Sequence, residues 1–462
     1  MKKISLSALL LLFTACLMAG EGIGFRQGSW KDVLAKAKQE NKLVFIDVYT
    51  SWCGPCKKMA AEVFTQEEVA KTFNASFVNY KIDAEKGEGV GIAKQFDVHA
   101  YPTYLFVNGD GELVYRMSGY QEAKLFLVGA ANALKEKDDP KPLVKWTDEY
   151  NGGKRDKDFL LGYLAKRAAL KMPSADLVEE VFPLLTTQDL QDKVRLSAVF
   201  YYDANIEYVP MGRCFSYVAG HYAAVDSLVG KSRQFSLAVL EIGIRNYFRK
   251  SIIENSREDM LPAMTAAVER LGRLRGESNV FANAKRPAMD YYGGTHNAAK
   301  LAPAALDYVN NGLLKMDIAG LQAADAADYA AFRAPYLSGK LDSTKAEGWT
   351  TQNRVGAHRR MVDVSYNLRG AAEAVYRDVT DKEVLKQAQE WARLAQGYFP
   401  HFSCQAVYAG LLYKTGQQQE AVAQMKAAAE DPIIRALPDV RAILLNAQAQ
   451  MERGEAPEKL WR

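Results

Sequence analysis

Cysteine is scarce in this chain, with 5 in 462 residues. That excludes a scaffold held together by disulfides. Histidine is equally rare, and His99, His221, His296, His358 and His401 stand at no spacing that reads as a metal site, so no metal and no other cofactor is expected. Charge of one sign is lacking too. Lys+Arg is 59 and Asp+Glu 55, a net charge of +4 that falls further if Lys2 and Lys3 are removed with a leader. So even a balance gives no reason to propose nucleic acid as a partner. Long apolar runs are missing: the uncharged stretch Ile4–Met18 has about 15 residues, short of the ~20 that span a bilayer, and no later stretch does better. The ordinary totals, 48% hydrophobic and 25% charged, exclude a largely disordered chain.

A basic start, Met1-Lys2-Lys3, precedes that apolar stretch, and small residues follow it. This reads as a secretory signal peptide over residues 1–20, of bacterial appearance, and predicts a periplasmic or secreted protein. Phe13-Thr14-Ala15-Cys16 resembles a lipobox, in which Cys16 is lipidated and anchors the protein to a membrane. Phe13 departs from the usual leucine, and cleavage near Ala19 or Gly20, discarding Cys16, is the alternative.

From about residue 25 to 137 the pattern alternates strand and helix. Ser29 is placed to cap a helix over 30–39. Leu43–Tyr49, Phe77–Asp83 and Thr103–Val107 are short runs rich in β-branched and aromatic residues, as buried strands are. Asn108-Gly109-Asp110-Gly111 is a hairpin turn leading into a strand over 112–117. Helices are expected from the Trp52-Cys53-Gly54-Pro55-Cys56 motif to about Phe64, over 90–96 and over 121–134.

Cys-x-x-Cys occurs in zinc sites as well as redox sites, but zinc needs two further ligands, and neither a second such motif nor a nearby pair of spaced histidines is present. With Trp52 before the first cysteine, Asp47 six residues upstream of Cys53, Tyr101-Pro102-Thr103 downstream and Gly119 after the hairpin, the segment resembles the thioredoxin family. More particularly it resembles the soluble domain of membrane thiol:disulfide interchange reductases and the secreted thioredoxin-like proteins of Bacteroidetes. The resemblance implies an α/β thioredoxin fold, a working Cys53–Cys56 dithiol, a buried acid at Asp47 and a cis-proline at Pro102 opposite the dithiol. It also implies protein thiols and disulfides as substrates and a membrane thiol-reductase as electron donor.

A cysteine at a helix start sits beside unpaired N–H groups and the positive helix end, so its thiolate is stabilised and it is the nucleophile. Cys56, one turn on, is the resolving thiol, and Pro55 sets a first-turn φ without removing a needed donor. Asp47 is read as the base for Cys56, and its place inside an apolar strand argues against a solvent-facing acid. Where many thioredoxins carry a lysine partner for that acid, this chain has Asn79. Either Lys81, two residues on and on the same strand face, substitutes, or the acid has no cation beside it.

Residues 138–146, charged and containing Pro140 and Pro142, read as a linker. From 147 to 462, about 320 residues show only helical patterns, too many for one bundle, and a helical repeat array is predicted. Ala388, Ala392, Ala395 and Pro400 are echoed by Gly416, Ala421, Ala428 and Pro432, so 381–453 looks like tetratricopeptide repeats, with helices over 381–397, 403–414, 418–430 and 437–453. No regular period appears between 150 and 380. Cys214 and Cys404 read as single buried thiols, and Asp290–His296 as a helix-connecting turn.

Three functions follow: a periplasmic thiol:disulfide oxidoreductase whose helical part recruits substrates or partner proteins, a repeat scaffold with an accessory redox domain, or a holdase. The first is the main expectation. The Gly-Pro between the cysteines resembles that of reducing thioredoxins, which implies the reducing direction.

Overall fold

The computed structural model describes residues 22–461 except 99, 171, 201–205, 278, 346–348 and 436. The leader over 1–20, with Cys16, and also His99, lie outside the described residues.

Two compact units divide at 186/187. The first begins with helix α1 (Trp30–Glu40) and strand β1 (Leu43–Tyr49). Helices α2 (Gly54–Glu62) and α3 (Glu67–Ser76) lead to β2 (Phe77–Asp83), then α4 (Glu88–Gln95), β3 (Thr103–Val107), β4 (Leu113–Ser118) and α5 (Ala123–Lys137). The sheet order is β2-β1-β3-β4, with β1 parallel to β2 and the other pairs antiparallel. This is the expected thioredoxin-type α/β fold. Both sheet faces are covered, which is why β1 reads as a continuous apolar run instead of an alternation. Val44, Ile46 and Val48 pack on one face with Leu105 and Val107. Leu43 and Phe45 pack on the other with Met59, Tyr104, Phe106 and Phe126. Asp47 shares the parity of Leu43 and Phe45, so the strand places it on the face that carries α2.

Local chemistry fixes the element ends. Ser29 caps α1 in a capping box: its Oγ accepts from the Asp32 N–H and donates to the Asp32 carboxylate at 2.6 Å. Ser29→Ala is expected to cost about 1 kcal/mol in urea unfolding; an unchanged midpoint would show the cap to be idle. At 108–112 the Asn108 N–H donates to the Glu112 carbonyl at 3.0 Å, closing the expected hairpin, while Gly111 takes φ +84°.

Four expectations need correction. The helix after the cysteine motif stops at Glu62 instead of running to Phe64, and a separate α3 follows. The Val63 and Phe64 N–H groups both donate to the Met59 carbonyl, turning the chain while keeping both side chains buried. The apolar pattern therefore continued past the helix end. Second, the strand after the hairpin spans Leu113–Ser118 and the last helix Ala123–Lys137, each shifted from the expected bounds. Third, the proline-containing segment 138–146 is not where the compact units part. Helices α6 (Leu143–Asn151), α7 (Lys157–Ala169) and α8 (Ala175–Val181) group with the first unit. Lys166 of α7 is nearly buried between Glu136 and Asp139 at the end of α5, an ion-pair link that ties the added helices to the α/β fold. Fourth, Asp290–Gly294 is the end of a helix, Val280–Gly294, and not a turn. Gly294 is there because a Cβ would stand 2.6 Å from Ile253 Cγ2.

The second unit contains helices and no strand among the described residues. Arg359–Asp378, Lys382–Tyr398, Phe402–Lys414, Gln418–Ala429 and Pro438–Glu452 pack in succession. Ala388, Ala392, Ala395, Ala421 and Ala428 are fully buried, small side chains that allow close crossing. Trp391 fills the core there and donates its Nε1–H to Asn310 Oδ1 at 3.2 Å. Cys214 and Cys404 are buried and unpaired with one another.

Candidate functional site: a disulfide at a helix start

The site forms where β1 ends and α2 begins. Cys53 is the N-cap of α2, with extended φ/ψ of −71° and 106°. Gly54 and Pro55 are the first two helical residues, and the Cys56 N–H donates to Cys53 Sγ at 3.1 Å. Cys53 and Cys56 are joined as a disulfide with their Cα atoms 5.3 Å apart. A sulfur at the N-cap occupies the place where serine or aspartate oxygen ordinarily accepts an orphan N–H. In the reduced state the same amide and the positive helix end favour a thiolate on Cys53. Pro55 lacks an N–H where none is used. A Cβ on Gly54 would meet nothing within 4 Å, while Cys53 and Cys56 themselves are buried.

Behind the disulfide, Asp47 is buried, and its Oδ2 lies 3.2 Å from Lys81 Nζ. The β1–β2 register pairs the two residues directly. Lys81 is therefore the cation beside the acid, the first of the two alternatives open from sequence. Asn79 instead donates from Nδ2 to Asn74 Oδ1 at 3.0 Å. The Lys81 ammonium also stands over the Tyr49 ring, 4.5 Å from its centroid. Burial pushes the Asp47 carboxyl up to about 6, and the charge and hydrogen bond of Lys81 only partly offset it. Asp47 Oδ1 accepts no hydrogen bond among the described residues, so one oxygen remains open to a proton. Lys81→Ala is expected to move the Asp47 titration above about 6, because burial then acts alone. A carboxyl-carbon NMR titration reads this directly, and a lowered or unchanged value would show that the pair is not electrostatically coupled.

The Tyr101–Pro102 bond is cis, as the family resemblance implied. The Pro102 carbonyl accepts from the Gly119 N–H at 2.8 Å, and Thr103 Oγ1 donates to the Ala100 carbonyl at 2.7 Å. Trp52 is 61% exposed, its Nε1–H donates to Glu85 Oε1 at 3.0 Å, and its indole meets the Tyr101 ring edge-on at 6.0 Å. Thus Cys53, Gly54, Pro55 and Cys56 share one helix start, Trp52 precedes it, and Asp47 lies on the strand beneath. Glu85 and Tyr101 belong to the same surroundings; Glu85 escaped the sequence reading, and Tyr101 entered it only as the neighbour of Pro102. Glu85 is in a polar loop with no motif of its own, whereas the position of Tyr101 before Pro102 was an available signal. Among the described residues no cluster of three or more His, Cys, Asp or Glu is arranged to hold a metal ion.

The profile of a thioredoxin-like domain family matches residues 30–128. Thioredoxin H4 of Arabidopsis thaliana is 40% identical over 96 residues, which are 21% of this chain and 76% of that protein. An H-type thioredoxin of Brassica campestris is 38% identical over 84 residues, 18% of this chain and 63% of that protein. A solution structure of a candidate disulphide-isomerase from Bacteroides thetaiotaomicron is 47% identical and covers 25% of this chain and 94% of its own, with a TM-score of 0.24. Each of these four likenesses is confined to a quarter of the chain or less. With the disulfide at the start of α2 and the sheet order that supports it, the chain belongs, through residues 30–128, to the thioredoxin-like family and carries a thiol:disulfide oxidoreductase domain.

Proposed function

We propose that the protein reduces disulfides of other proteins outside the cytoplasm, with its helical unit recruiting those proteins. The observation that carries the reading is Cys53 at the N-cap of α2 with the Cys56 N–H on its sulfur. The reduced enzyme begins with a Cys53 thiolate. It attacks one sulfur of the substrate disulfide; that S–S bond breaks, a mixed disulfide forms, and the departing thiolate takes a proton. Asp47 takes the proton of Cys56, directly or through water. The Cys56 thiolate then attacks Cys53 Sγ, expelling the second substrate thiolate. Two electrons pass to the substrate, which leaves as two thiols, and Cys53–Cys56 is left oxidised. A thiol-reductase donor, of the membrane type that the resemblance implies, must return the two electrons. The leader-like residues 1–20 support an extracytoplasmic site of action, whether free or anchored through a lipidated Cys16.

Insulin reduction by the full chain, driven by a dithiol donor, tests the activity. Equilibration with glutathione buffers tests the direction: a reductase with Gly-Pro between its cysteines is expected near about −270 mV, and a potential above about −180 mV would make it an oxidant or isomerase instead. Recruitment is tested by ending the chain at Thr186. Turnover of insulin should persist while turnover of natural partners falls, and equal turnover of natural partners by both forms would remove recruitment from the helical unit's role.

A further inference from the structure

The chain has 6 tryptophans, 24 tyrosines and 19 phenylalanines. Among the aromatic side chains described, the exposed ones are Trp52 at 61% and Tyr120 at 37%. Scattered exposed apolar side chains are ordinary. These two differ in position and in restraint. Trp52 adjoins Cys53. Tyr120 directly follows Gly119, whose N–H holds the carbonyl of the cis-proline loop, and the next amide, Gln121 N–H, donates to Met59 Sδ of α2 at 3.4 Å. Both rings therefore lie on loops that border the active-site helix.

Both are also tied down. Glu85 accepts from the Trp52 indole. Tyr120 Oη donates to Glu62 Oε2 at 3.3 Å, and Lys58 Nζ stands over the Tyr120 ring, 4.4 Å from its centroid. Lys58 and Glu62 are one turn apart on α2 and form an ion pair at 3.8 Å. The helix that begins with the dithiol thus orients the second ring. A ring fixed before binding loses less rotamer freedom on contact, and exposed Trp and Tyr are the side chains that anchor interfaces.

We propose that Tyr120 is a specificity-determining residue, a second aromatic wall facing a substrate segment held against the disulfide, and that it selects protein disulfides with an apolar or aromatic side chain beside the cystine. Glu62 and Lys58 are positioning residues for that wall. The proposal rests on the dithiol-reductase reading above.

Two cystine peptides that differ only in Phe or Ser beside the cystine test it with the full chain and a dithiol donor. The unsubstituted protein should prefer the Phe peptide. Tyr120→Ala should lower kcat/KM for the Phe peptide about tenfold (~1.4 kcal/mol) and for the Ser peptide less than about twofold. Tyr120→Phe keeps the ring and should keep the preference, which separates loss of the wall from loss of the fold. Glu62→Ala, which frees the ring without removing it, should give an intermediate preference ratio. Equal effects of Tyr120→Ala on both peptides, or none on either, overturn the proposal. Failure of the unsubstituted protein to reduce either peptide would instead strike the reductase reading.

Discussion

Cys53→Ser is expected to bring insulin-disulfide turnover down to the uncatalysed background, a loss of at least about a thousandfold, because no other group supplies the attacking sulfur. The substitution separates chemistry from folding well. Serine is among the preferred N-cap residues, so the α2 start that Cys53 now caps with its sulfur is capped by a hydroxyl. Unchanged urea unfolding of the reduced protein should accompany the lost turnover. Cys56→Ala is the complementary variant. The group that stabilises the Cys53 thiolate is the Cys56 backbone N–H, which alanine retains. The nucleophile therefore stays active while resolution is lost, and the mixed disulfide persists as a covalent adduct visible by mass. Full activity in Cys53→Ser, or adducts on a residue other than Cys53, would reassign the nucleophile. If Cys56→Ala turns over as fast as the unsubstituted protein, the second step is not the one described.

How much of this was legible depends on whether the determining contacts are local. Strands Leu43–Tyr49, Phe77–Asp83 and Thr103–Val107 match their expected bounds, because each is a compact run rich in β-branched and aromatic residues, even though Phe77–Asp83 also carries Asn79 and Lys81. Asp47 stood out for the same reason, as the one acid inside such a run. The division of α2 from α3 was hidden because Val63 and Phe64 stay buried after the helix has ended, so the apolar signal outlasted the backbone geometry. The grouping of α6–α8 with the first unit brings Lys166 to Glu136 and Asp139, a contact that no local pattern announces. Trp52 was readable from the motif, but Glu85, which fixes its indole, lies 33 residues away on another loop. Tyr120 sits one residue past a glycine that the resemblance had already marked, and only its exposure and its ties to Lys58 and Glu62 distinguish it from a core tyrosine.

Asp47→Asn should stabilise the oxidised protein at neutral and alkaline pH and slow its turnover, two effects with one cause. Burial raises the folded-state carboxyl from its ordinary 3.8 to about 6, so the folded chain holds this proton more tightly than the unfolded chain does. Stability linked to Asp47 is then greatest below about pH 4, falls as the pH rises through about 6, and levels off above it. The shift corresponds to about 3 kcal/mol of destabilisation in the charged state. Asparagine removes the charge at every pH. Lys81 loses its partner but is partly exposed, so water can receive its ammonium. The variant should therefore gain about 2–3 kcal/mol near pH 8 and almost nothing near pH 4 in urea unfolding. At the same time Cys56 loses the proton acceptor that the proposed mechanism assigns to Asp47. Turnover limited by resolution should fall by about ten- to a hundredfold, within the span ascribed to a positioned base, and lose its inflection near pH 6. A gain in stability that is equal at both pH values would show that folding does not raise the Asp47 carboxyl above its unfolded value. Unchanged turnover with an intact inflection would move the role of base to another group. The two readouts oppose each other: the buried carboxylate lowers stability, and in the proposed mechanism it is the proton acceptor of the second step.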